Sequence, residues 1–237
     1  MAYIFGFRNS LADYKTYGTA EHCNCVEGRQ LLDRSAIILA GGFSSRFGQD
    51  KGLLLVANKP LIKHVLDATN GIVDEAVIVV SSDSQAEDFA RVVNSNVKIV
   101  ADLDDLQSPL MGTLTGLGKA QGEYSLLLPC DTPLVSQKVL QLLLELCLNR
   151  NAVIPRWPNG YIEPLQAVYR TKAALEAAKH AFNEGELNLR SIVGRLQNVR
   201  YISTLVLQQL DPKLRTFFNV NTPLDLKKAE FIVRRES

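Results

Sequence analysis

The chain has 237 residues, 46% of them hydrophobic and 22% charged, with a net charge of +1. That length suits one large domain, and the near-balance of charge excludes a general nucleic-acid footprint or an acidic tail. Any anionic ligand has to be met by local groups rather than by the field of the whole protein.

The first residues, MAYIFGFRNSLADYK, lack the basic start and apolar core of a signal peptide. No segment reaches the ~20 apolar residues that a membrane helix needs. The four cysteines, Cys23, Cys25, Cys130 and Cys147, have no disulfide-framework spacing, which fits a reducing compartment. His22-Cys23-Asn24-Cys25 could touch a metal, but no second pair completes a tetrahedral site. The expectation is a cytoplasmic protein with no membrane and no nucleic-acid partner.

Residues 1–33 are aromatic and polar without a period, and read as an N-terminal extension to a domain over 34–237. From Ser35 the chain alternates. AIILA is a buried strand, and KPLIKHVLDATNG has helical spacing with Leu61, Val65 and Leu66 on one side. EAVIVVSS, NVKIVAD and EYSLLLPCD read as strands, and SQAEDFARVV, GTLTGLGKAQ and SQKVLQLLLELCL as helices, the last with Ser136 as N-cap. NAVIPRW and EPLQAVYR flank a turn at Pro158-Asn159-Gly160 and predict an antiparallel element. TKAALEAAKHAF and LNLRSIVGRL are helical, NVRYIS is a short strand, and Thr222-Pro223 opens a last helix. Apolar strands alternating with amphipathic helices predict an α/β fold, a mostly parallel sheet with helices on both faces. Ligands of such sheets sit outside the carboxyl ends of the strands.

Gly41-Gly42 falls at that end of the first strand. Glycine lets backbone N–H groups approach an anion, and Ser44, Ser45, Arg46 and Lys51 add donors and charge. A phosphate-bearing ligand is the natural occupant, although a glycine pair is also common turn punctuation. A P-loop is excluded, because Gly48 is followed by Gln49-Asp50-Lys51. The dinucleotide fingerprint is excluded too, because Gly41 to Arg46 does not supply G-x-G-x-x-G.

LAGGFSSRFGQDK resembles the L-A-G-G-x-S-x-R-x-G-x-D-K signature of molybdenum cofactor guanylyltransferases. The resemblance continues in order through VANKPLIKHV, ADLDDLQSPLMGTLTGL, LLLPCDTP, EPLQAVY and FFNVNTPLDL, covering about residues 35–230. It implies a three-layer Rossmann-like nucleotidyltransferase domain over residues 34–237. It also implies that Leu39, Ala40, Gly41, Gly42 and Lys51 hold GTP, with Arg46 beside Lys51 on the triphosphate.

Asp131 follows the apolar run LLLPC, and a hard oxygen donor there suits Mg²⁺. By resemblance it is the metal ligand, and Asp102 contacts the nucleotide, with Asp104 and Asp105 as neighbouring rivals. SPLMG has Ser108 where the family has glycine, which puts the geometry of that turn in question. Asn219 and Asn221 stand beside a helix N-terminus, where amides can bind phosphate or a heterocycle or, as Asn221 and Thr222, cap the helix; the resemblance places the segment near the pterin and assigns both amides to substrate or metal. Glu163 departs from the glutamine or histidine of the family; it either contacts substrate or faces water.

The implied reaction transfers GMP from GTP to the terminal phosphate of molybdopterin, releasing pyrophosphate, with Lys51, Arg46 and Asp131 neutralising charge. His64 and His180 read as surface helix residues and Cys130 as strand packing, so none of the three is asked for chemistry. Molybdoenzymes or cofactor-biosynthesis proteins are the implied protein partners. The rivals are a cytidylyltransferase or sugar-phosphate nucleotidyltransferase on the same fold, and a nucleotide-binding protein without turnover.

Overall fold

A computed structural model describes residues 33–41, 43–44, 47–102 and 108–236, all within the unit Leu31–Ser237. Gly42, Arg46, Asp104, Asp105, the cluster at residues 22–25 and all but the last residue of the 1–33 extension lie outside the described residues.

In chain order the strands are β1 (Arg34–Leu39), β2 (Phe43–Ser44), β3 (Gln49–Asp50), β4 (Leu55–Val56), β5 (Lys59–Pro60), β6 (Glu75–Val80), β7 (Lys98–Ala101), β8 (Tyr124–Pro129), β9 (Ala152–Arg156), β10 (Ala167–Arg170) and β11 (Val199–Ser203). The helices are α1 (Leu61–Thr69), α2 (Asp83–Ala90), α3 (Pro109–Lys119), α4 (Gln137–Leu146), α5 (Thr171–Asn183), α6 (Leu189–Arg195), α7 (Thr204–Leu207) and α8 (Pro223–Glu236). Seven strands form one sheet in the order β11-β9-β10-β8-β1-β6-β7. Every pairing in it is parallel except those made by β10, which runs against β8 and β9.

Period-two alternation of an all-apolar strand buries both of its faces. Ile38, Ile78, Leu126 and Leu128 point to one face and meet Ile62 and Val65 of α1, Phe89 of α2 and Leu140 and Leu143 of α4. Ile37, Val77, Val79 and Leu127 point to the other and meet Leu110 and Leu117 of α3, Ala174 and Ala178 of α5 and Ile192 of α6. The result is the three-layer architecture expected from the alternation. Each fully buried aliphatic side chain contributes about 1.5–3 kcal/mol, so this double core holds the sheet edge that carries the site.

Two consequences of topology place that site. From β1 the chain crosses to β6 and β7 on one side, and from β7 it returns to β8 on the other. The carboxyl ends of β1 and β8 therefore border a switch point, where a crevice opens. Because β10 runs backwards, its amino end lies at the same rim, and this brings the preceding residues 163–166 to the crevice.

Helix ends follow local chemistry. Ser108 accepts a hydrogen bond from the Met111 N–H at 3.2 Å and Pro109 takes the first turn of α3. The serine that replaces the family's glycine is thus a helix cap. Thr222 and Asp225 satisfy one another's N–H groups at the start of α8, a capping box with aspartate in the third helical position. Ser136 stands at the N-cap of α4, but its hydroxyl makes no capping bond. His64 is half-buried rather than a plain surface residue: its Nε2 lies 3.1 Å from the Val56 carbonyl, and burial draws its pKa down.

Candidate active site

Strand ends and one helix end converge on a cavity of about 320 Å³. Leu39 and Gly41 close one side, Val80, Ser81 and Asp102 another, and Cys130 and Asp131 a third. Ser108, Pro109 and Gly112 bring the amino end of α3 to the wall, and Leu165 comes from the segment before β10. The ladder extends past the strands: Cys130 N–H donates to Leu39 O at 3.0 Å, and Asp102 N–H to Val80 O at 2.7 Å. The backbone of both aspartates is therefore fixed before any ligand enters.

Lys51 enters this cavity from a short 3₁₀ turn, Lys51–Leu53. Its Nζ donates to Asp131 Oδ2 at 3.0 Å and to Asn221 Oδ1 at 2.7 Å. Asp131 is further tied to the 219–221 segment, because Val220 N–H donates to its carbonyl at 2.8 Å. The turn can approach this closely because residue 52 is glycine: a Cβ there would lie 2.7 Å from the Phe89 ring. At Gly41 a Cβ would meet Ser81 Oγ at 2.8 Å. A side chain at the end of β1 would therefore have to displace the Ser81 hydroxyl.

Asp102 accepts from Thr115 Oγ1 of α3 at 3.0 Å, which turns its carboxylate along the cavity wall. Ala40 is buried behind the wall, its N–H on Val79 O and its carbonyl accepting from Gln85. Asn219 is exposed beside Val220. Of the residues named from sequence, Leu39, Gly41, Lys51, Asp102 and Asp131 line the cavity and Asn221 joins it through Lys51. Cys130 is buried and its thiol is pushed far up by burial, as its packing role requires.

An aromatic pair follows the end of β9, outside the cavity lining. Glu163 accepts from the Trp157 indole N–H at 2.7 Å, and Trp157 stands edge-on to Phe217 with centroids 5.6 Å apart. Burial raises the Glu163 pKa, against the pull of the indole N–H and Arg190. The carboxylate is thus half-buried and engaged.

Sequence reasoning passed over two groups here. Gln85, Asp50, Ser81 and Ala40 form one hydrogen-bonded set beneath the glycine loop. Asp211, Thr216, Ser136 and Gln166 form another. The first had a legible signal, the S-x-x-Q spacing of Ser82 and Gln85. The second had none, since its members are up to 80 positions apart.

A MobA-like NTP transferase domain matches residues 36–199. The chain belongs to the MobA-like NTP transferase family. A "Probable molybdenum cofactor guanylyltransferase" of Methanosarcina mazei is 34% identical over 199 residues, covering 82% of this chain and 88% of that one. The molybdenum cofactor guanylyltransferase of Desulfosudis oleivorans is 32% identical over 202 residues, covering 84% and 96%. The crystal structure of molybdopterin-guanine dinucleotide biosynthesis protein A from Archaeoglobus fulgidus superposes on this MobA-like chain with a TM-score of 0.71 at 28% identity, over 85% of this chain and 99% of that one.

Proposed function

We propose that this MobA-like nucleotidyltransferase moves GMP from GTP to the terminal phosphate of molybdopterin and releases pyrophosphate. The observation that carries the reading is the Lys51 ammonium, held by Asp131 and Asn221 at the switch-point cavity. A cation on two oxygen partners in a half-enclosed site is an anion receptor that a triphosphate can take over. The names of the relatives supply the identity of both substrates.

The acceptor phosphate is already ionised near neutral pH, so the reaction needs no strong general base. An acceptor oxygen attacks the α-phosphorus in line, the bond to the bridging oxygen breaks, and pyrophosphate leaves with the electron pair. What the chain contributes is positioning and neutralisation. Lys51 holds the triphosphate, a role the sequence assigns to Arg46 and the Gly41-Gly42 pair as well, and the amino end of α3 adds its dipole. Asp102 takes the nucleoside end. Asn219, Asn221 and Leu165 form the acceptor side.

Mg²⁺ fits the donor set. Among the described residues no three His, Cys, Asp or Glu side chains cluster; Asp131 would hold the cation, with substrate oxygens and solvent completing its ligands. Magnesium prefers that mixture. When bound, it neutralises charge on the phosphates. Residues 34–237 form the transferase domain in this reading, with 1–33 as an extension to it. Among the described residues no helix is long and apolar enough to cross a membrane.

Pyrophosphate release measured with each of the four NTPs, with and without molybdopterin, tests the reading. Release is expected with GTP and molybdopterin together. Release with CTP instead would move the chain to a cytidylyl reaction, and no release with any nucleotide and molybdopterin would refute the transfer.

A further inference from the structure

We propose that Gln85 is a positioning residue for the donor nucleotide, fixing Lys51 at the phosphate end of the cavity by holding Asp50. This rests on the reading above, in which Lys51 takes the triphosphate.

Gln85 is buried, and its side chain bonds three separate segments, using both amide hydrogens. Its Oε1 accepts from Ser81 N–H at 2.7 Å, at the end of β6. Its Nε2 donates to Ala40 O at 3.1 Å, at the end of β1, and to Asp50 Oδ1 at 2.9 Å, on the outgoing arm of the glycine loop. Ser81 N–H can only donate and Ala40 O can only accept, so just one orientation of the amide satisfies all three.

Helix capping does not account for this. Ser82 caps α2 by accepting from Gln85 N–H, but the Gln85 carbonyl oxygen takes the N–H of Ser81, one residue before the N-cap that a capping box would use. The amide nitrogen is surplus to capping. It closes the loop between residues 40 and 50 like a clasp, with the β2–β3 ladder pairing Phe43 to Asp50 inside it. Lys51 follows Asp50 directly, and its 3₁₀ turn packs on Phe89, one turn further along α2. A single helix thus sets both the entry and the exit of the loop, and the separation of Gly41 from Lys51 with them.

The assignment makes a signed claim about Asp50. Removing a carboxylate beside a triphosphate site should strengthen anion binding by electrostatics alone. If Asp50 acts as the clasp's anchor, removing it should weaken binding instead.

The test is a double-mutant cycle on GTP affinity, read by ligand-observed NMR so that millimolar dissociation constants remain measurable. Gln85→Met keeps the side-chain length and removes all three bonds. It should weaken GTP binding about tenfold in the otherwise wild-type chain, the size of effect expected when buried polar partners lose their mate. In a Lys51→Ala background it should cost less than about twofold, because coupled residues are not additive. An equal loss in both backgrounds would show a general structural role and overturn the proposal, as would no loss in the wild type. Should Gln85→Met fail to fold, Asp50→Ala carries the same cycle, since it leaves the cap and the Ala40 bond in place. Tighter GTP binding in Asp50→Ala would also overturn the proposal. If the wild-type chain binds CTP and not GTP, the guanylyl reading fails and the same cycle with CTP decides the clasp. If it binds neither, both fall.

Discussion

The central sheet carries a carboxylate and a lysine at each of its two edges, and the pairs behave differently. At the amino edge Glu75 opens β6 and is almost enclosed, its side chain 7% exposed. It accepts from Ser35 Oγ at 2.6 Å, from Gln121 N–H at 2.5 Å and from Lys98 Nζ at 2.6 Å. Burial alone would raise its pKa, but these bonds outweigh burial and hold it below the ordinary glutamate value. At the carboxyl edge Asp131 faces a cavity, and the side chains it shares with Lys51 and Asn221 leave that cavity open. A carboxylate whose partners come from β1, β7 and the α3–β8 turn stitches elements together. One whose partner is a lysine on a glycine-flanked turn is a place for a ligand to compete.

The sharpest way to break this contrast is at the open edge. Asp131→Asn should cut turnover by about a thousandfold or more, as loss of charge neutralisation at a phosphoryl centre does. Its urea unfolding midpoint should stay within the range of an ordinary surface change, about 0.5 kcal/mol. Near-normal turnover would remove Asp131 from the reaction, and a large stability loss would make the two edges alike. At the closed edge the pattern should invert. Glu75→Ala should cost about 3 kcal/mol by leaving donors without an acceptor, while the GTP dissociation constant is unchanged.

The same edge gives a pH test. Glu75 has a folded pKa below its ordinary 4.5, so the unfolded chain binds the proton more readily. Its contribution is complete above that range and is lost as pH falls through it. Urea midpoints taken from pH 7 downward should drop less steeply in Glu75→Gln than in the wild type; parallel curves would refute the assignment. The smallest effect lies in the β4–β5 hairpin, where Ala57 and Asn58 both have positive φ, 49° and 63°. Ala57→Gly should stabilise by about 0.5–1 kcal/mol, because the left-handed region strains alanine and not glycine, and thermal unfolding would register it.

Much of the frame was legible because burial imposes a period. The runs AIILA, EAVIVV and EYSLLLP predicted strands where β1, β6 and β8 occur, and the turn at 158–160 predicted the reversal of β10. The positions of Gly41 and Asp131 at strand ends were legible for the same reason. The two-residue strands of the hairpins, the four-residue α7 and the polar sets around Gln85 and Thr216 were not. They depend on contacts between segments far apart in the chain, which no local period records. Gln85 hid behind its capping signal, since the part of it that matters to the site is the nitrogen.

The pairing of Lys51 with Asn221 spans 170 positions. During synthesis the lysine and Asp131 both exist long before the amide that completes their arrangement, and before the Val220 N–H that anchors Asp131 from below. The parallel half of the sheet can be built while the site is still unfinished. The Lys51–Asp131–Asn221 arrangement is therefore complete only once residues 219–221 have been added and have folded back onto the first half of the chain.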